Sequence, residues 1–310
     1  MIAFGPIPSR RLGMSLGINN IPTRKICSYS CVYCQVGITK KYSVTREPFY
    51  EPSLIAKEVE KHLAKLKEMP DYLTFVANGE PTLDGKLGKS ILALKKFNIP
   101  IAVITNASLL SNKQVRAELI NADWVSVKID SAEESAWKLI NRPHFKVNYR
   151  LYVEGLLKFS EEFKGKLVSE TMLVQGINDN PEVLIQTADL VSRVKPTIAY
   201  ISIPTRPPAV PSVTPPSEIA INEAYQIFTE KGLNTELILG FEGTNTGFTG
   251  NAKEDILNIC AVHPIREDTM NELLAKDNAD FETVESLIRE QKIQQLLYKS
   301  KKFYLRKHQL

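Results

Sequence analysis

The chain has 310 residues, 43% of them hydrophobic and 24% charged. This composition belongs to a soluble globular protein and excludes fibrous, collagen-like and wholly disordered chains. The net charge of +4 is unevenly spread: residues 1–46 carry +7 with no acid, the last fourteen carry +5, and the 250 between are left with −8. Such asymmetry points to anionic partners more than the total does. No apolar run approaches the ~18 residues of a membrane span, so no membrane association is expected. The opening MIAFGPIPSRRLG lacks the order of a secretory signal, which makes the cytoplasm the expected address.

Apolar, β-branched runs at Ser15–Ile21, Leu73–Ala77, Ile101–Thr105, Trp124–Ile129, Leu167–Val174 and Ile198–Ile203 read as strands. Amphipathic stretches at Ser53–Met69, Leu87–Phe97, Lys113–Asn121, Ala132–Ile140, Tyr149–Phe163 and Glu182–Val194 read as helices, with Ser53, Asn112 and Ser131 as candidate N-caps. Six strand-then-helix repeats predict a parallel α/β architecture, and periodicity leaves both a barrel and a doubly wound sheet open. The segment Pro204–Ser217 holds six of the eighteen prolines, so it is neither helix nor central strand. It reads equally as a stiff connector or as a lid or rim over a site. A helix, Glu218–Lys231, and a strand, Glu236–Leu239, follow. From residue 251 the pattern changes to three short helices and a hairpin, Ile293–Tyr298 with Phe303–Arg306. That is the layout of a winged helix-turn-helix, so the chain divides into 1–250 and 251–310.

Four cysteines are too few for a disulfide scaffold, and three fall within eight residues as Cys27-Ser-Tyr-Ser-Cys31-Val-Tyr33-Cys34. Structural zinc wants a fourth Cys or His at a paired spacing, and none lies nearby. Three thiolates on one loop suit three irons of a [4Fe-4S] cluster with the fourth iron open. The segment resembles the radical SAM signature, in which an aromatic residue precedes the third cysteine, as Tyr33 does here. The resemblance implies a partial (β/α)6 TIM-like barrel, with the cluster loop after its first strand at the C-terminal face. It also implies S-adenosylmethionine (SAM) as cofactor, Cys27, Cys31 and Cys34 as the iron ligands at the catalytic centre, and an electron donor of the flavodoxin or ferredoxin kind.

Further positions follow from the resemblance. Asn78-Gly79-Glu80-Pro81 is similar to the family's Gly-Gly-Glu-Pro motif at the methionyl amino group. Thr105, Asn106, Lys128 and Asp130 stand where related enzymes touch the SAM carboxylate and ribose, and Gly176-Ile177 where they approach the adenine. Phe4–Gly13, Thr205–Ala209 and Ala261–Glu267 resemble the wyosine-synthetase-like Fe-S oxidoreductases. Cys260 is the one spare cysteine, four residues after Ile256 on a predicted helix, and reads as a core residue. One cysteine holds no second cluster, unlike true tRNA wyosine synthetases.

Three readings of the substrate stand. The basic ends and the winged-helix layout favour an RNA- or nucleotide-modifying enzyme. The alternatives are an activase or modifier of a protein or peptide, and a non-catalytic Fe-S redox or regulatory binding protein. The predicted recognition helix 280–291 carries Asp280, Glu282, Glu285 and Glu290, which argues against insertion into a nucleic-acid groove. Arg10, Arg11, Arg24 and Lys25 are expected to balance the cluster's charge, His62 to be a surface residue, His144 to face the site and His263 to brace the domain junction.

Overall fold

The computed structural model describes residues 2–22, 24–240, 244 and 246–307, with Val262 through its backbone alone. Its strands are β1 (Ala3–Ser9), β2 (Gly13–Ile18), β3 (Ile26–Cys27), β4 (Lys41–Tyr42), β5 (Tyr72–Phe75), β6 (Ile101–Thr105), β7 (Trp124–Lys128), β8 (Lys166–Met172), β9 (Ile198–Ser202) and β10 (Thr235–Ile238). Helices α1 (Pro52–Leu63), α2 (Leu87–Leu94), α3 (Lys113–Leu119), α4 (Glu134–Asn141), α5 (Tyr149–Glu162), α6 (Pro181–Val194) and α7 (Glu218–Glu230) alternate with them. Eight of these strands form one curled sheet, β1-β2-β5-β6-β7-β8-β9-β10, parallel from β2 onward, as a half-barrel, while β3 and β4 pair with each other. The six predicted strand–helix units are present, and β10 closes the series.

Side-chain alternation along the strands builds two layers. Val125 and Val127 of β7 face outward and join Leu73, Val103, Trp137 and Leu184 in the main core beneath the helices. Trp124, on the opposite face, packs inside the half-barrel with Leu12, Ala102, Val168 and Tyr200, filling the lumen toward the N-terminal ends of the strands. Farther along the same inner face come Ser126, Lys128, Glu170 and Ser202, so the lumen turns polar toward its C-terminal rim.

The antiparallel strand β1 was not expected, because Phe4-Gly5-Pro6-Ile7-Pro8 carries two prolines that argue against a central strand. At a sheet edge they are tolerated, and the register shifts between Phe4 and Ile7. His62 is the second correction. It is 8% exposed, and its Nε2 lies 2.8 Å from the Gly5 carbonyl oxygen, tying α1 to β1. Of the candidate caps, Asn112 accepts from the Gln114 amide, whereas α1 starts behind Glu51 and α4 behind Glu133.

The remaining elements are α8 (Ala252–Val262), β11 (Ile265–Arg266), α9 (Glu267–Lys276), α10 (Glu282–Arg289), β12 (Ile293–Tyr298) and β13 (Lys301–Arg306), the strands pairing in the order β11-β13-β12. Their core of Ile256, Met270, Leu273, Leu287 and Tyr304 takes in Phe4 and Ile7 of β1. Cys260 is 3% exposed in that core, as expected, with its Sγ 3.4 Å from the Tyr304 carbonyl oxygen.

Candidate active site

The chain leaves β2 and returns as β3, whose Ile26 bridges to Gly79 in parallel. The Ile26 amide donates to the Asn78 carbonyl at 3.3 Å, and the Glu80 amide donates to the Ile26 carbonyl at 3.1 Å. This approach requires the glycine. Gly79 has φ +142, and a Cβ there would stand 1.7 Å from the Ile26 oxygen. The Asn78–Glu80 turn is thereby fixed directly beneath Cys27.

Each cysteine of the loop is held by its own neighbours. Cys27 is buried, with its Sγ 3.4 Å from the Tyr29 amide and 3.5 Å from Asn106 Nδ2. Cys31 Sγ lies 3.4 Å from Asn141 Nδ2, and the Val32 amide donates to the Ile140 carbonyl at 2.9 Å, pinning the loop to the end of α4. Cys34 Sγ lies 3.0 Å from Lys25 Nζ, and Lys25, 3% exposed, also donates to the Gly37 carbonyl. Burial pushes the Cys27 and Cys31 thiols up to about 12. It acts the same way on Cys34, but the Lys25 ammonium outweighs it and holds that thiol below its ordinary value. Of the four cations expected to balance the cluster's charge, Lys25 is the one that lies against a cysteine sulfur. Arg24 is exposed, and Arg11 serves another group.

Two buried carboxylates organise the polar groups around the loop. Glu80, 1% exposed, accepts from Thr82 Oγ1 and Thr105 Oγ1 at 2.6 Å each and from the Asn106 amide at 2.7 Å. Asp130, also 1% exposed, accepts from Tyr33 Oη at 2.5 Å, Asn141 Nδ2 at 2.6 Å and the Met172 amide at 2.9 Å. Burial raises the pKa of both carboxyls. Lys128 Nζ lies 2.5 Å from Glu170 Oε1 and 5.7 Å from the centre of the Tyr33 ring. Glu170 also pairs with Arg11 and accepts from Ser202 Oγ at 3.0 Å. Burial pushes its carboxyl up, but the two cations prevail and hold it at about 2.

The structure therefore gathers Cys27, Cys31, Tyr33, Cys34, Gly79, Glu80, Thr105, Asn106, Lys128 and Asp130 into one connected network. Asn78 joins it through its backbone. Ile177 is half-buried in the apolar cluster that includes Val32 and Tyr33. Gly176 is exposed at φ +72, where it shapes the turn, and its amide donates to Asp179 at 2.8 Å. The buried partner in that turn is Asn178, whose Nδ2 donates to the Asp130 carbonyl at 2.7 Å. Sequence reasoning passed over Asn141, Asn178 and Glu170. For Glu170 the signal is visible: in Val168-Ser-Glu170-Thr-Met172 an acid occupies an inward position of a buried strand.

The proline-rich segment packs beside the cysteine loop and the Gly176 turn. The Val210 amide donates to the Val32 carbonyl at 3.0 Å, and the Gln175 amide to the Thr214 carbonyl at 3.1 Å. His144 does not enter the polar network. Its amide donates to the Ser28 carbonyl at 2.8 Å, while its ring stacks 4.4 Å from that of Phe145, which is 86% exposed. Tyr42, Lys138, Arg142 and Pro143 line the same shallow hollow of 550 Å³. His263 follows α8, half-buried; burial and then the charge of Arg206 keep its pKa well below the ordinary value.

Among the described residues no three His, Cys, Asp or Glu side chains close around a point as a single metal ion needs. No helix among them is long and apolar enough to cross a membrane. Residues 21–188 match the family described as Radical SAM superfamily. The chain is 46% identical over 308 residues to a UPF0026 protein of Methanocaldococcus jannaschii, covering 98% of this chain and 96% of the relative. Among solved structures, TYW1 with a lysine-pyruvate adduct bound superposes with a TM-score of 0.52 at 16% identity, over 70% of this chain and 73% of that one. Streptococcus suis SuiB bound to its precursor peptide SuiA gives 0.53 at 14% identity, over 72% and 48%. Likeness at these identities is likeness of fold.

Proposed function

The chain belongs to the radical SAM superfamily, with UPF0026 homologues, and on that premise we propose an iron–sulfur enzyme that cleaves SAM reductively and modifies RNA. The carrying observation is the cysteine loop itself: three soft thiolate donors beside a polar lumen. The lumen fits a polar cofactor, because buried Ser126 Oγ has no hydrogen-bond partner among the described residues. Cys27, Cys31 and Cys34 would hold three irons of a [4Fe-4S] cluster. Bound together, cluster and SAM supply a 5′-deoxyadenosyl radical that abstracts a substrate hydrogen, the electron coming from a flavodoxin- or ferredoxin-like donor.

The chain's own residues do the rest. Lys25 offsets thiolate charge at Cys34. Asn78 and Gly79 present backbone at the floor, and Glu80 orients Thr105 and Asn106 toward the amino-acid end of SAM. Asp130 fixes Tyr33, which with Ile177 and the Gly176 turn forms the wall for the adenine. Lys128, held by Glu170, supplies positive charge, and the Trp124–Leu12 plug keeps water out from below.

RNA is favoured by the surface against the loop, where Tyr42, His144 and Phe145 alternate with Lys138, Arg142 and Lys146. Exposed rings stack bases and neighbouring cations meet phosphates, the combination that single strands bind. We read residues 251–310 as a separate winged-helix-like domain. Its helix α10 bears Glu282 and Glu285, both engaged with Arg289, so α10 itself takes no part in nucleic-acid contact.

The test has two arms. Anaerobically reconstituted protein with dithionite and SAM is expected to release 5′-deoxyadenosine, and Cys31→Ala to release none; equal release by both sinks the chemistry. Nucleoside mass spectrometry of RNA from a deletion strain is expected to lack one modification. An unchanged RNA profile sinks the substrate reading.

A further inference from the structure

Beyond the lumen, the ends of β9 and β10 and the C-terminal sheet enclose a second cavity, of 240 Å³. Arg206, Arg266, Lys299 and Lys301 line it together with Thr205 and Tyr298, and no described residue of the lining is acidic. Positive charge converges on this hollow from four side chains, of which Arg206 and Arg266 have partners of their own. Arg266 also pairs with Asp268, whereas among the described residues Lys299 and Lys301 form no ion pair.

The placement of the lysines has a conformational cost. Lys299 and Ser300 form the turn between β12 and β13 at φ 47 and 56, where Asn-Gly is the favoured pair. The strained turn puts a lysine at the cavity and a second, Lys301, at the start of the returning strand. Burial also lowers the pKa of Lys299. Tyr298 Oη donates to the Pro204 carbonyl at 3.1 Å, fastening the hairpin to the proline-rich rim. Arg206 Nη1 donates to Gln35 Oε1 at 3.3 Å, and Gln35 immediately follows Cys34. The cavity therefore adjoins the cysteine loop.

We propose that this cavity is a phosphate site, which seats a phosphate of the substrate while another part of that substrate reaches the lumen. The inference rests on the RNA reading for one source of that phosphate, a phosphodiester of the strand; the other source is a free nucleotide. Planar guanidinium groups and mobile ammonium groups together suit either.

The experiment uses cluster-loaded enzyme and two probes: a fluorescein-labelled single-stranded oligoribonucleotide and adenosine monophosphate. It compares wild type with Lys299→Ala/Lys301→Ala, on an exposed hairpin tip that leaves the fold intact, with Lys299→Arg/Lys301→Arg as the charge-preserving control. If a strand phosphate is seated, the alanine variant binds the oligonucleotide at least several-fold more weakly. Its salt dependence flattens by about 1.4 in log–log slope, at ~0.7 per lost single-strand phosphate contact, and the arginine variant restores both. If wild type binds the monophosphate but no oligonucleotide, and the alanine variant loses that binding, the phosphate site stands and the RNA reading falls. If the alanine variant binds both probes as wild type does, the site falls and the RNA reading is untouched. Wild type that binds neither probe overturns both.

Discussion

Glu170→Gln isolates the buried charge cluster inside the half-barrel. The Glu170 side chain is 7% exposed and lies between Arg11 and Lys128. Burial alone would raise its pKa, yet the two cations hold it at about 2 against an ordinary 4.5. At about 1.4 kcal/mol per pH unit, that gap is worth roughly 3 kcal/mol of stability at neutral pH. The sign follows from the depressed value: the contribution is complete above pH 4.5 and is lost as pH falls toward 2. Glutamine carries no such titration and leaves two cations facing an amide, a loss in the range of about 3–5 kcal/mol for a broken buried pair. Urea unfolding of wild type and variant, both cluster-free, reads the difference. The gap should be roughly 3 kcal/mol at pH 7, narrow by under about 1 kcal/mol at pH 4, and lose more than about half its value by pH 3. A gap that stays constant over that range, or a variant more stable than wild type at pH 7, would refute the reasoning. The second result would mean that desolvation outweighs the Coulombic attraction.

Two further substitutions probe the supports of the site. Gly79→Ala places a Cβ against the Ile26 carbonyl at a φ of +142, so β3 must move. A loss of about 2–3 kcal/mol and weaker iron retention after desalting are expected, and unchanged iron content would count against the cradle. His62→Leu leaves the Gly5 carbonyl unpaired at a cost of about 1–2 kcal/mol. Burial holds the His62 pKa below 6.5, so its share of stability is full above that pH and declines below it. The leucine variant should therefore show a flatter stability profile between about pH 7 and 5, and an unchanged slope would show that His62 is not the titrating group.

The architecture was legible wherever one period dominated. Strands such as Ile101–Thr105 and helices such as Pro181–Val194 are uniform enough in pattern to appear close to their true bounds. The cysteine loop was legible because its chemistry is written locally, within eight residues. What escaped was set by distant partners. Nothing near Pro6 and Pro8 announces a strand, since β1 exists only by pairing with β2 and receiving α8. His62 was misassigned from its charged neighbours, although Ile55, Val59 and His62 lie on one helical face, and that face is buried. Asn141 and Asn178 look like ordinary cap and turn residues in sequence, and only the fold brings both to Asp130.

The hydrogen bond from Val210 to Val32 also has a meaning in time. A chain emerging from the ribosome carries all three cysteines long before residue 210 exists, at synthesis rates of about 5–20 residues per second. Until then Val32 lacks its partner on the rim, and Ile177 and Val213 have not yet enclosed the loop. The contacts that complete the loop are among the longest in sequence separation, which places them late in folding. The cysteines thus pass through an interval of open access during synthesis, and the fold shuts around them from the C-terminal side.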